Sequence, residues 1–331
     1  MITKNNIKNC LHDFDTALSD YCGGVIQKGE LHALAGWVNQ PCLDDLNAIL
    51  AKYLIPGNRI RFTLAWIDKS PIAEYIPSGT ATPISGELGD VAIIRLHVHS
   101  KGTAISQLGR MLLFQAKVSE SGPPFVPSNV TTGVTQKEFS FMTSWPPFTL
   151  RAWGASARNN TCFDVMNGVA LADRTTKLRE MNWFGVAPSD PANRGAWAQQ
   201  TYSSSPWWTA PPVSQRACDI PLSKLLLKIA LAWVAIDPAD QDGVAGREFR
   251  FPAASLTPAT NNAYSTWDDL ANEIINIAQS NNPAKEQIFA TSRIIQFLTN
   301  YSPPPLLPAV ASLGNASGDK PFPVIFVTHL E

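Results

Sequence analysis

Two runs of residues, Val91 to Val98 and Arg110 to Val118, constrain this chain more than anything else in it. The first is β-branched and almost continuously apolar where it begins, Val91-Ala-Ile-Ile, as a strand buried in the middle of a sheet must be. The second alternates, with Met111, Leu113, Gln115 and Lys117 on one face and Leu112, Phe114, Ala116 and Val118 on the other. A polar turn, Ser100-Lys-Gly-Thr103, joins them, so the pair reads as a hairpin buried on at least one face. Such a hairpin needs other elements to cover it.

The rest of the chain supplies them. Residues 8–55 read as mostly helical, and Cys42 to Leu54 carries apolar residues at helical spacing until Pro56-Gly57 stops it. Arg59 to Ile67 alternates as a strand, and residues 68–86 read as a Pro/Ser/Gly loop. Residues 119–135 read as a second loop. Glu138-Phe-Ser-Phe-Met leads into Trp145-Pro-Pro-Phe148, which cannot lie inside a helix. Residues 185–217 are loop-rich and hold Trp207-Trp208. Ile220 to Ile236 reads as a buried helix, too short and too charged to span a bilayer. Gly246-Arg-Glu-Phe249 reads as a tight turn without chemistry. Helices are expected from Trp267 to about Gln279 and from Lys285 to Asn300, and Val324 to Thr328 reads as a last strand. The fold expected is α/β with a mixed central sheet. Residues 1–150 form its core, and residues 151–331 are a loop-rich and helical elaboration packed against it, the whole making one compact unit.

Charge narrows the partners. The 331 residues carry a net charge of −1, so no global positive field draws the protein to nucleic acid, and any such contact must come from a local basic cluster or from another subunit. Only 16% of residues are charged, low for a folded chain, which suggests either a large core or a surface partly covered by a protein partner or a second copy. Cys10, Cys22, Cys42, Cys162 and Cys218 are odd in number, scattered and without zinc spacing, as expected for thiols in a reducing, cytoplasmic setting. The N-terminus has no apolar signal region, and no membrane association is expected.

One segment looks like chemistry. Gly86-Glu87-Leu88-Gly89-Asp90 delivers an acid to the mouth of the first strand, and Gln115 and Lys117 interrupt an apolar face of the next. An amide and an ammonium are costly to bury unpaired, and Asp90 is the nearest carboxylate to offset that cost. Carboxylate and amide oxygens suit Mg²⁺ or Mn²⁺. A lysine beside such an ion can orient a water or neutralise charge developing on a phosphate.

Asp90 on one strand followed by Gln115-Ala-Lys117 on the next resembles the PD-(D/E)XK, or restriction-endonuclease-like, nuclease superfamily in its Q-x-K form. The stretch from Glu87 through Arg110–Lys117 to Trp145-Pro-Pro-Phe148 looks like bacterial proteins found beside defence genes. The resemblance covers about residues 59–150. It implies a restriction-endonuclease-like core in which Asp90 and Gln115 bind Mg²⁺ or Mn²⁺, Lys117 is catalytic and Glu87 is a further metal ligand. An acid from the first helices, Glu30, Asp44 or Asp45, would complete the site. The activity implied is hydrolysis of nucleic acid, DNA more than RNA, by an effector of anti-phage defence. The alternative is a non-catalytic scaffold that keeps the fold and docks a protein through its Trp/Pro loops.

Other features point elsewhere. His97 and His99 share a face at a strand end without a visible third zinc ligand, and His12, His32 and His329 have no partner readable from spacing. Arg151, Arg158, Arg174, Lys177 and Arg179 read first as charges on a solvated helix face and second as a nucleic-acid contact beside Trp153 and Trp183. No catalytic-serine or phosphate-loop motif occurs.

Overall fold

The computed structural model describes residues 2–22, 29–67, 71–98, 108–119, 125–129, 133–151, 161–190, 205–213, 216–232, 243–251, 266–280 and 322–330. Three helices open the chain: α1 (Lys4–Cys22), α2 (Glu30–Ala35) and α3 (Gln40–Tyr53). The start of α3 is set by Asn39, whose side chain accepts from the Cys42 N–H at 2.8 Å, and by Pro41 in the first turn. Cys42, Leu43, Leu46, Ile49 and Leu50 then form one buried stripe.

Strands β1 (Arg59–Ile67), β2 (Ile72–Tyr75), β3 (Ile84–Glu87), β4 (Val91–Val98) and β5 (Leu108–Ser119) follow, then α4 (Gly133–Ser144), β6 (Phe148–Arg151) and β7 (Cys162–Phe163). Beyond them lie α5 (Arg174–Met181), β8 (Asn182–Pro188), β9 (Trp208–Ala210), β10 (Ile220–Pro221), α6 (Leu222–Leu231), β11 (Arg247–Arg250), α7 (Trp267–Ser280) and β12 (Phe322–Leu330).

The central sheet runs in the order β1-β12-β4-β5-β8-β9-β10, with β11 beside the start of β5. It is mixed: β12 is parallel to β4 and antiparallel to β1, while β5 is antiparallel to β4 and parallel to β8. The class is therefore α/β with a mixed central sheet, and that sheet draws strands from both sides of residue 150. A second sheet, β3-β2-β6-β7, is antiparallel.

Strand alternation divides the core in two. Val91, Ile93, Leu112, Phe114, Ala116, Ile325 and Val327 pack with residues of α1, α2, α3 and α6. Ala92, Ile94, Met111, Leu113, Val324 and Phe326 pack with α4, α7 and the small sheet. The edge of β1 is closed by side chains of α3. Asn47 donates to Phe62 O at 3.0 Å and accepts from Phe62 N at 2.6 Å, and Gln40 accepts from Leu64 N at 3.0 Å.

Several expectations change. The loop expected at 68–86 contains β2 and β3, each four residues long, too short for alternation to stand out. The loop expected at 119–135 gives way to α4 from Gly133, whose buried Phe141 and Met142, with Trp145 just after the helix, pack in the same half of the core as Ala92, Ile94 and Leu113. The helix expected from Ile220 to Ile236 is shorter. Ile220 and Pro221 form a strand, Pro221 takes the N-cap place where its missing N–H costs nothing, and Ala232 turns left-handed at φ 52° to end the helix after Leu231. All ten residues of α6 are buried, Lys224 and Lys228 included. Gly246-Arg-Glu-Phe is more than a turn: Arg247 opens β11 and donates to Val165 O at 2.7 Å beneath the Trp267 ring. The helix expected over 285–300 lies outside the described residues, as do His99 and Arg158. Among the described residues no helix is long and apolar enough to cross a membrane.

Gly185 on β8 shows how tightly β5 is packed. A Cβ there would sit 2.0 Å from Phe114 Cζ, and the Phe114 ring is itself wedged edge-on against Trp37 at 5.6 Å. Gly185→Ala is expected to cost about 1–3 kcal/mol or more through overpacking, read as a lower urea midpoint at unchanged slope. A midpoint equal to wild type would show that Phe114 has room to move.

Candidate active site

The site forms where β4 begins and β5 ends, at one end of two antiparallel neighbours. Asp90 stands just ahead of β4, and its backbone N–H donates to Phe114 O at 2.8 Å, which extends the ladder. Its carboxylate is buried. Oδ2 accepts from the Ala116 N–H at 2.7 Å and, in a short contact, from the Gln115 side-chain amide. Gln115 is fully buried, and its Oε1 meets no donor among the described residues. A buried acceptor left without a donor is rare in a folded protein and marks a place for a hydrogen-bond donor or a cation.

Lys117, two residues on and on the same face, is also buried. Its ammonium lies 3.0 Å from Glu30 Oε1 of α2 and 2.8 Å from Glu138 Oε2 of α4. The two acids therefore arrive from the layers on opposite sides of the sheet. Burial pushes the Lys117 pKa down. The combined fields of Asp90, Glu138 and Glu30 outweigh it and leave the ammonium held above its ordinary value. Burial acts the other way on Glu138. Lys117 pulls it down, yet desolvation wins and the carboxyl is pushed up to about 7. One ammonium faces three carboxylates, so the cluster carries an excess of negative charge whenever all are ionised.

The Glu138 shift has a sign that can be measured. The folded chain keeps this proton up to about pH 7, while the unfolded chain releases it near 4.5. Between those values the folded state binds more protons, so this group's contribution to stability is greatest at the acid end and falls as pH rises toward 7. In Glu138→Gln that decline is expected to disappear. The difference in unfolding free energy between wild type and variant should shrink or reverse from about pH 5 to about pH 8. Parallel curves would place the proton on another group.

The residues singled out in the sequence divide cleanly. Asp90, Gln115 and Lys117 converge. Of the three helix acids, Glu30 reaches Lys117. Asp44 instead accepts from Gln40 at 2.7 Å, and Asp45 from the Tyr21 hydroxyl at 2.8 Å, both on the exposed side of α3. Glu87 ends β3 in the small sheet, opposite Ile72, while the carboxylates that act most on Lys117 are Asp90, Glu138 and Glu30. His97 stacks on His329 of β12 with ring centres 4.7 Å apart. Arg151 pairs with Glu74 at 2.8 Å, and Arg174 lies on the exposed start of α5. Glu138 was missed. Its signal was an acid on the same helical stripe as Phe141, Met142 and Trp145, a place where a charge is buried.

Among the described residues no three acidic, histidine or cysteine side chains are placed to hold a metal ion. Counting the amide oxygen, the hard-oxygen donors of the site are Asp90, Gln115 and Glu138, a set whose chemistry fits Mg²⁺ or Mn²⁺. Compared with known protein families, curated proteins and solved structures, the chain matches none of them.

Proposed function

We propose that this chain is a metal-dependent phosphodiester hydrolase of nucleic acid, acting on DNA more than RNA, built on a restriction-endonuclease-like core. The observation that carries the reading is the convergence of Asp90, Gln115, Lys117 and Glu138 at one sheet end, with more carboxylate than ammonium and an amide oxygen that meets no donor among the described residues. Asp90, Gln115 and Glu138 would hold Mg²⁺ or Mn²⁺. When bound, the ion would polarise a phosphoryl oxygen and lower the pKa of a water. Gln115 keeps Asp90 aimed by donating to it, and the Ala116 N–H fixes the same oxygen from the backbone. Lys117 supplies a positive charge where the phosphate gains negative charge. A role as effector of anti-phage defence, alone or with a protein partner or second copy, belongs to the same proposal and rests on the resemblance.

The test is incubation of purified protein with plasmid DNA and with RNA, in Mg²⁺ or Mn²⁺ and in EDTA. Cleavage that EDTA removes supports the reading. Intact substrate in every condition favours the second reading, a scaffold that keeps the cluster for its ion pairs. That reading has its own observation: Lys117 is only 4% exposed and sits between two carboxylates.

A further inference from the structure

Lys117 is shared unequally by its two acids. The Glu138 side chain is 4% exposed and belongs to the interior, whereas the Glu30 side chain is 36% exposed and forms the solvent side of the pair. Of these two acids, Glu30 is the one that solvent reaches. A glutamate oxygen 3.0 Å from an ammonium has the charge and hydrogen-bonding character of a phosphate oxygen in the same seat.

We propose that Glu30 is a displaceable clasp: its carboxylate occupies the seat on Lys117 that a substrate phosphate takes, and it swings into solvent when the phosphate arrives. This rests on the phosphodiesterase reading and names the anion-binding subsite of that site. Two features make the exchange feasible. The Glu30 side chain is already partly exposed, so its carboxylate regains water as it leaves. Asp90 and Glu138 stay in place throughout, so Lys117 keeps carboxyl groups beside it when Glu30 leaves. Glu30 also repels Glu138, and its departure relieves that repulsion. The clasp would keep the site from taking up stray anions and make a phosphate compete for entry.

The experiment compares wild type, Glu30→Gln, Asp44→Asn and the double variant Glu30→Gln/Lys117→Met. Binding of a fluorescein-labelled DNA duplex is followed by anisotropy in EDTA and in Ca²⁺, and protection by inorganic phosphate is followed by thermal unfolding. Glu30→Gln is expected to tighten duplex binding about three- to tenfold, the worth of one partly exposed charge pair. Asp44→Asn makes the same charge change on exposed α3 and is expected to do nothing. Lys117→Met is expected to cancel the gain. A Glu30→Gln protein that binds the duplex no better than wild type, or binds neither duplex nor phosphate, overturns the clasp. So does a gain that Asp44→Asn reproduces. If wild type never cleaves but Glu30→Gln binds the duplex more tightly and gains Lys117-dependent phosphate protection, the phosphodiesterase reading falls and the clasp stands. If wild type cleaves and Glu30→Gln loses cleavage without a gain in binding, Glu30 serves the metal and the clasp falls.

Discussion

Replacing Lys117 by alanine is expected to lower divalent-dependent cleavage by a factor on the order of 10²–10³ or more, the usual loss when one charge aimed at a transition state is removed. The fold should survive. Glu138 loses its counter-charge, but its pKa already stands near 7, so it can take up a proton instead of remaining as a buried anion. Single-turnover cleavage rates and a thermal melt on the same preparation read both halves. Asp90→Ala is expected to abolish cleavage too, but not cleanly. It leaves the Ala116 N–H and the Gln115 amide without their acceptor, at about 1–3 kcal/mol for each donor stranded. Asp90→Asn keeps an acceptor and is the better probe. Undiminished cleavage by Lys117→Ala would remove the nuclease reading and leave the scaffold.

Leu227→Ala is expected to cost about 2–5 kcal/mol, as a large-to-small change at a fully buried site does. Leu227 lies in α6, which packs on α1 and β12 in the helical layer of the core. The substitution opens a cavity in that layer without touching Asp90 or Lys117. Urea denaturation followed by tryptophan fluorescence should show a lower midpoint at constant slope. A loss under about 0.5 kcal/mol would mean that the layer closes over the gap or that α6 contributes little to the core.

Legibility followed locality. β1, β4, β5 and β12 stood out because each is long enough for alternation or an apolar run to show. The face carrying Gln115 and Lys117 was correct, since Leu113 and Leu112 fall in different halves of the core. Pairing was not legible. Nothing near Phe322 says that β12 lies between β1 and β4, because the contact joins residues far apart in the chain. The same holds at the site. Asp90, Gln115 and Lys117 share one hairpin and were found together, while Glu30 could not be chosen over Asp44 and Asp45 until α2 was seen against β5. Glu138 needed α4 to be recognised first. The ends of α6 were misjudged because Ala232, whose left-handed turn stops the helix, is an ordinary helix former.

The place of β12 has a consequence for how the protein is made. β1 and β4 stand about 10 Å apart, two strand spacings, and the gap between them is filled by residues 322–330. While the ribosome is still translating earlier codons, that slot is empty, and two apolar strand edges wait for a chaperone or a partner. The sheet bearing Asp90 and Lys117 closes only after translation has passed residue 330.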